Sequence, residues 1–514
     1  SCCRKPVEGM VVHTTSERAR RSQRGVIELL RARIHEEPAT DRHAVHDWAV
    51  RLALPAPRYG RTSLHQQAAD AEGRTPEELS CALDTSHPAI TFDPGACIQC
   101  TRCVRACRDE QVNDVIGLAG RGHHARIVFD LEDPMGASTC VGCGECVQAC
   151  PTGALAPRTL LQAGPEPVVP SAAVADRQVD TLCPFCGVGC QVRLQVRTEP
   201  AGEEHIVQVQ GRDGPANQGR LCVKGRYGFD YARHGDRLTV PLVRLEGVPK
   251  NPAVIGDAAA MRAAFREASW EEAMALAGGR LRTVRDSQGP RALAGFGSAK
   301  GSNEEAYLFQ KLVRLGFGSN NVDHCTRLCH ASSVAALLEG IGSGAVSNPV
   351  ADVALASFVI VIGANPTVNH PVAATWIKNA VKRGTVLALM DPRRSELARH
   401  ATHVLGFKPD TDVALLNSMM QVIVEEGLVD PAFIADRTLG YEALAANVAR
   451  FTPEAMEPIT GIAASTVRTV ARAYATSSAS MILWGMGISQ HVHGTDNARC
   501  LIALALICLL YTSD

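Results

Sequence analysis

The 514-residue chain has no excess of charge of either sign: 52 basic residues stand against 53 acidic ones, for a formal net charge of −1. A nucleic acid or an anionic membrane surface attracts a chain through a surplus of positive charge, so neither is indicated as a partner. Long hydrophobic runs are also missing. The stretch 500–511 is apolar over about a dozen residues, short of the roughly 18–20 that cross a bilayer, and reads as a buried helix. No signal peptide is visible, and the first residue is Ser1 rather than Met. No Gly-x-Gly-x-x-Gly occurs, and no cysteine lies between Cys3 and Cys81. With no cysteine in that interval, His35, His43 and His46 read as solvated residues rather than ligands.

What the chain has is cysteine, 19 in all. In a chain this long, thiols at metal-ligand spacings exclude a small secreted disulfide scaffold and indicate a reducing compartment, the cytoplasm. Two copies of one pattern stand out. They are Cys97-Ile-Gln-Cys100-Thr-Arg-Cys103-Val-Arg-Ala-Cys107 and Cys140-Val-Gly-Cys143-Gly-Glu-Cys146-Val-Gln-Ala-Cys150-Pro151. In two-cluster bacterial ferredoxins the fourth cysteine of each such run ligates the other cluster. The spacing therefore assigns Cys97, Cys100, Cys103 and Cys150 to one 4Fe-4S cube, and Cys140, Cys143, Cys146 and Cys107 to a second. A third site is spelled by Cys183-Pro-Phe-Cys186-Gly-Val-Gly-Cys190, closed by Cys222 in Leu-Cys222-Val-Lys224-Gly. Three thiols on a turn made pliant by Gly187 and Gly189 can take three corners of a cube. Structural zinc is the alternative at all three sites, and would more naturally use two Cys-x-x-Cys pairs.

Around these sites the sequence predicts simple elements. Thr14-Thr-Ser-Glu17 reads as a capping box before a helix whose Val26, Ile27, Leu29, Leu30 and Ile34 recur at roughly helical spacing. Arg126-Ile-Val-Phe-Asp130 reads as a strand, and 191–210 as short strands flanking the third site. From about residue 265 helix and strand alternate. The apolar Phe358-Val-Ile-Val-Ile362, the turn Gly363-Ala-Asn365-Pro366, a helix over 373–381 and a strand over 384–390 ending in Asp391-Pro-Arg393-Arg394 make a βαβ unit. Its strand ends should face a ligand: the glycine turn offers N–H groups to a phosphate, and the acid can accept from a ribose or base. A plain α/β core is the competing reading. Lys408-Pro-Asp410-Thr-Asp412 starts a further helix. Finally, Asn321-Val-Asp-His324-Cys325-Thr-Arg-Leu-Cys329-His330 sets a potential soft-metal thiolate beside a proton-carrying imidazole.

Together these motifs resemble the alpha (catalytic) subunit of molybdenum- or tungsten-dependent, NAD-linked formate dehydrogenases, in the bis-molybdopterin guanine dinucleotide oxidoreductase superfamily. Carrying the likeness are the paired ferredoxin runs, the Cys183 to Lys224 motif, Asn321-Val-Asp-x-Cys-x-Arg-x-Cys329-His330, Gly363-x-Asn365-Pro366 with His370-Pro371, Asp391-Pro-Arg393 and Trp484-Gly-Met486-Gly-x-x-Gln490. The resemblance implies that Cys329 ligates the metal, that His330 handles the proton, and that Lys224 links the proximal cluster to a pterin. It assigns Gly363, Asn365, Asp391, Arg393, Asp412 and Gln490 to the guanine dinucleotide tails. Asp410 departs from the family, which has Gly there. The opening Cys3-x-x-Pro-Val-x-Gly-Met resembles the last ligand segment of a plant-type 2Fe-2S domain, with Cys3 as fourth ligand; that cluster is implied only for a full-length form. Two surface thiols, Cys2 and Cys3, are the other reading. Relatives continue by several hundred residues past Asp514, through a substrate-orienting arginine and a C-terminal pterin-binding domain, so the likeness implies truncation at both ends.

The fold expected is multidomain α/β and α+β. In order it comprises the end of a 2Fe-2S domain (1–13), a helical connector without its cysteine cluster (14–90) and a ferredoxin-like two-cluster domain (91–156). A linker (157–180), a small 4Fe-4S domain with short strands (181–235) and an incomplete α/β molybdopterin-binding region with mostly parallel sheets (236–514) follow. The implied activity is formate oxidation to carbon dioxide, with electrons passing through three 4Fe-4S clusters toward an NAD- and FMN-binding diaphorase-type partner. An assimilatory-type nitrate reductase and a non-catalytic electron-transfer subunit like the complex I large subunit are the rivals. Anaerobically purified protein should be brown and contain iron and acid-labile sulfide; a colourless, zinc-bearing preparation in elemental analysis overturns this reading.

Overall fold

In a computed structural model the described residues are 5, 7–32, 34, 44–56, 58, 83–122, 125–158, 175–200, 202–251, 257–345 and 348–508. They divide into two compact units, 1–183 with 187–229 and 184–186 with 230–514. Cys3, His35 and His43 lie outside the described residues; His46 is exposed. The first helix, Glu17–Arg31, is capped by Ser16, whose hydroxyl accepts from Ala19 N. The capping box read at Thr14 is thus displaced: Glu17 is already helical, and its charge lies in the first turn, where the exposed N–H groups favour an anion.

The first unit folds around inward-turned thiols. β1 (Ile90–Phe92) pairs antiparallel with β4 (Leu155–Pro157), and β2 (Ile116–Ala119) with β3 (Arg126–Phe129). Two short helices, Arg102–Arg105 and Glu145–Ala149, each start two residues after the second cysteine of a run. The runs also share one backbone path. Gln99 (φ 56°) and Thr101 (φ 58°) are left-handed in the first, as are Gly142 (φ 64°) and Gly144 (φ 71°) in the second. Ile90, Phe92, Ile116, Phe129, Met135 and Leu155 close the core over Cys103, Cys107 and Cys146. Phe92 and Phe129 meet edge to face, with centroids 5.5 Å apart.

Two expected boundaries shift. Asp84 exchanges backbone hydrogen bonds with Phe92 and accepts from Met135 N, so the end of the connector belongs to this unit. The expected linker ends early, because β5 (Arg177–Leu182) joins β6 (Gln191–Thr198) and β7 (Glu204–Gly211) in an antiparallel sheet. Its Asp180 pairs across the strands with Arg193 at 2.8 Å, a contact that local composition does not disclose.

In the second unit, β8 (Leu242–Arg244) and β9 (Phe265–Glu267) form an antiparallel pair, and β10 (Gly295–Gly297) and β11 (Val322–His324) a parallel one. The main sheet is parallel, in the order β14-β13-β12-β15, with β12 Phe358–Ile362, β13 Val386–Met390, β14 His403–Leu405 and β15 Ser480–Trp484. Both faces are covered, which is why β12 reads as an unbroken apolar run. Phe358, Ile360 and Ile362 pack with residues of helices Asp412–Glu425, Ala464–Ala475 and Gly494–Ile507. Val359 and Val361 face the other way, toward Trp376 and Ile377 of helix Pro371–Lys382. Ile360→Ala should cost about 2–5 kcal/mol in chemical denaturation, because the site has close-packed neighbours on all sides. Leu439→Ala, at a fully exposed position, should change stability by less than about 0.5 kcal/mol.

Candidate functional site

The first unit gathers its thiols into two quartets. Cys97, Cys100, Cys103 and Cys150 line one small apolar pocket, walled by Phe92, Ile127 and Leu155. Burial raises the Cys103 thiol to about 12, and the nearness of Cys97, Cys150 and Cys100 adds to the rise, since each thiolate opposes another. Burial likewise lifts Cys143 to about 12 and Cys146 well above its ordinary value, with Cys140 and Cys107 among the neighbours that repel a charge. The last cysteine of each run therefore stands with the other run.

Backbone N–H groups point at the sulfurs: Gln99 N at Cys97 Sγ (3.4 Å), Gly142 N at Cys140 Sγ (3.4 Å), Val115 N at Cys107 Sγ (3.3 Å) and Leu155 N at Cys150 Sγ (3.5 Å). Quartets in which burial opposes the ionisation of Cys103, Cys140, Cys143 and Cys146, with backbone N–H groups turned to neighbouring sulfurs, suit a cluster of cationic irons that permits that ionisation. A single zinc needs four sulfurs about 2.3 Å from one point. Among the described residues no group of three His, Cys, Asp or Glu is placed to hold a single ion.

The third motif is partly assembled in the same unit. Cys183 N donates to Cys190 O (2.9 Å), closing the turn, and Cys222 caps helix Val223–Tyr227. A side chain at Gly225 would meet Cys183 Sγ at 3.4 Å, so that thiol lies over the start of the helix. Cys186 groups with the second unit. Lys224 is half-buried on the Val223–Tyr227 helix.

In the second unit the neighbours of β12 are β13 and β15, and the chain reaches them by departures to opposite sides. That makes a topological switch point, where open α/β sheets leave a crevice at the strand carboxyl ends. Here the loops after β12 and β15 meet backbone to backbone. Gly487 N donates to Gly363 O (2.9 Å), and a Cβ on either glycine would lie 2.7–2.8 Å from the other loop's backbone. Gly363 also takes φ 56°, which glycine adopts without strain. Cys329 ends the short helix Thr326–Cys329, and its Sγ lies 3.2 Å from Met486 Sδ on the β15 loop. His330 joins that helix to the next, Ala331–Ile341. Three further bonds hold these helices to the loop: Ser333 Oγ with Ser489 Oγ (2.6 Å), Trp484 Nε1 to Ser333 Oγ (3.0 Å) and Gln490 Nε2 to Leu328 O (2.9 Å).

The other sequence-assigned residues follow strand ends of this sheet. Asn365 caps helix Pro366–Asn369 after β12; Asp391 and Arg393 follow β13, with Arg393 N donating to Asp391 Oδ1 (2.8 Å); Asp412 opens the helix after β14. Asp412 is buried, and that burial raises its carboxyl above the ordinary range; Asp410 and Asp391 push the same way, while its backbone bond and His491 oppose. Asp410 adopts φ 64°, the left-handed region that favours glycine and that aspartate tolerates. Its carboxylate meets His491 Nδ1 at 3.0 Å, and the other ring nitrogen of His491 lies 2.7 Å from Gly487 O. Sequence reasoning gave no role to Met486, Ser333, Ser489 or His491; the glycines flanking Met486 were the one local signal.

Comparison with known proteins agrees with this layout. Residues 237–514 match the family described as Molybdopterin oxidoreductase, 176–234 the Molybdopterin oxidoreductase Fe4S4 domain, and 96–154 the 4Fe-4S dicluster domain. The chain is 32% identical to the protein named Probable oxidoreductase YjgC of Bacillus subtilis (strain 168), over 82% of this chain and 44% of that one. It is 38% identical to Formate dehydrogenase H of Escherichia coli (strain K12), over 64% of this chain and 44% of that one. The chain thus spans less than half the length of the curated relatives it matches. Among solved structures, acetylene hydratase from Pelobacter acetylenicus superposes with a TM-score of 0.53 at 21% identity, over 65% of this chain and 44% of that one, a likeness of fold. Among the described residues no helix is long and apolar enough to cross a membrane.

Because the Asp412 carboxyl is raised, the folded state is penalised for its charge above that raised value, and the penalty vanishes where the acid is protonated in both states. Asp412→Asn should therefore raise the thermal midpoint near pH 8, and the gain should fade as pH falls toward about 4. A gain that is constant or grows toward acid contradicts this.

Proposed function

Since the chain belongs to the molybdopterin oxidoreductase family, we propose that it is the catalytic part of an NAD-linked enzyme oxidising formate to carbon dioxide at molybdenum or tungsten held by two molybdopterin guanine dinucleotides. The carrying observation is the position of Cys329, whose thiol faces Met486 at the switch-point crevice, with His330 next in the chain. When bound, the metal and its pterins supply the two-electron chemistry, and iron–sulfur clusters on the thiol sets carry single electrons away.

The chain's own residues do the rest. Cys329 offers a soft thiolate from a helix end tied to the β15 loop, so its sulfur is positioned by the sheet rather than by a free loop. His330 holds or passes the proton released from substrate. Gly363 and the Pro366–Asn369 turn present backbone at the strand ends, while Asn365, Asp391, Arg393, Asp412 and Gln490 offer polar groups to a nucleotide tail. Lys224, directly after Cys222 and Val223, serves between the proximal cluster and a pterin. Cys97, Cys100, Cys103 and Cys150 hold one 4Fe-4S cube, Cys107, Cys140, Cys143 and Cys146 a second, and Cys183, Cys186, Cys190 and Cys222 a third. Support for formate comes from the Cys329-His330 pair and from the 38% identity to a protein named Formate dehydrogenase H. The ferredoxin-type quartets support a cytoplasmic flavin-bearing partner that reduces NAD, and Cys3 would ligate a 2Fe-2S cluster in a longer form.

In the complete protein, Cys329→Ala should abolish formate-dependent dye reduction. The loss should exceed the roughly 10–100-fold typical of removing a group that merely supports a ligand, while iron content stays unchanged. Turnover equal to wild type would sink this mechanism.

A further inference from the structure

Although the two cysteine runs share a backbone path, they differ at three equivalent positions. Where the first has Gln99, Thr101 and Arg102, the second has Gly142, Gly144 and Glu145. The difference has a spatial cause. Helix Val223–Tyr227, which starts at Cys222, lies against the second run. A Cβ on Gly144 would stand 2.1 Å from Arg226 Cδ and 2.5 Å from Tyr227 Oη, and one on Gly142 would stand 3.1 Å from Val223 Cγ2. Glycine at both sites admits the helix.

Arg226 locks it in place. Buried to 3% exposure, its guanidinium donates to Cys143 O (2.7 Å), to Gln148 Oε1 (2.9 Å) and to the buried carboxylate of Glu145. Glu145 in turn accepts from Leu221 N (2.9 Å), beside Cys222. The next residue, Tyr227, is thereby fixed with its hydroxyl in the interior. Tyr227 Oη is buried and has no hydrogen-bond partner among the described residues. Leaving a buried hydroxyl unpaired costs about 1–3 kcal/mol, so an orphan of this kind calls for a partner that binds later. Tyr227 packs, as Cys140 does, against the core cluster that holds Cys107 and Cys146, and its hydroxyl lies beside Gly144, the residue after Cys143.

We propose that Tyr227 donates its hydroxyl proton in a hydrogen bond to a sulfur of the cluster held by Cys107, Cys140, Cys143 and Cys146, with Arg226 and Glu145 as positioning residues. The proposal rests on the cluster ligation proposed above. A donor aimed at cluster sulfur stabilises the more negative, reduced state and so raises the reduction potential. This quartet, rather than the one completed by Cys150, is then the one tuned from the segment that begins at Cys222.

The test is a redox titration of the anaerobic, complete protein followed by electron paramagnetic resonance, comparing wild type with Tyr227→Phe. The substitution keeps the ring and removes a hydroxyl with no partner among the described residues, so the metal-free chain should be as stable as wild type or more so. One 4Fe-4S signal should move to lower potential in the variant while the others stay. The moving signal should be the one that Cys140→Ser alters or eliminates. Unmoved signals, or a shift only in a signal that Cys140→Ser leaves intact, overturn the role of Tyr227 alone. A wild-type protein without any 4Fe-4S signal overturns the ligand reading and this inference with it.

Discussion

A thiol buried among apolar side chains and other thiols cannot lose its proton unless something positive arrives to meet the charge. That constraint organises the first unit. Its core is drawn up around Cys103, Cys107 and Cys146, whose surroundings oppose ionisation at Cys103 and Cys146, and backbone N–H groups are turned toward the neighbouring sulfurs. Such an interior is poor ground for a free nucleophile and good ground for a metal cluster, because the same burial that penalises a lone thiolate strengthens its attraction to iron. Binding energy of this kind is also folding energy, so the short strand pairs need little sheet of their own.

In the second unit the corresponding constraint is contact between two backbones. Gly363 and Gly487 let the loops of neighbouring parallel strands touch at the point where the sheet's winding reverses. Everything polar at that rim is then referred to two paired strands, β12 buried on both faces and β15 partly buried. Cys329 inherits its position from this arrangement through Met486 and the serine contacts, although it lies far from both strands in sequence. The Asp410 to His491 bond ties the rim after β14 to the same loop.

Much of this was legible beforehand, and the exceptions have a common cause. The β12 run announced a strand covered on both sides, because five consecutive apolar residues leave no face for water. The exchange of last cysteines was expected from the two-cluster ferredoxin pattern, and Cys150 indeed lines one pocket with Cys97, Cys100 and Cys103. What stayed hidden depended on contacts between distant segments. β15 is partly buried and carries no strong pattern, so nothing local marks it as the neighbour of β12. The start of β5 depends on the Asp180 to Arg193 pair, and the orphan hydroxyl of Tyr227 on glycines far upstream. Asp410, too, owes its place to backbone conformation: it sits in the left-handed region, which nothing in its own sequence pattern announces.

The exchange of Cys107 and Cys150 between the two runs bears on how the protein matures. The second quartet is incomplete until residue 146, and the first until residue 150, has left the ribosome and the two halves have closed on each other. A cluster on either set would thus wait for both runs rather than form one run at a time, and oxidation of either cysteine takes one ligand from the quartet it completes. Loading at the paired sites should accordingly be a joint event in the life of the chain.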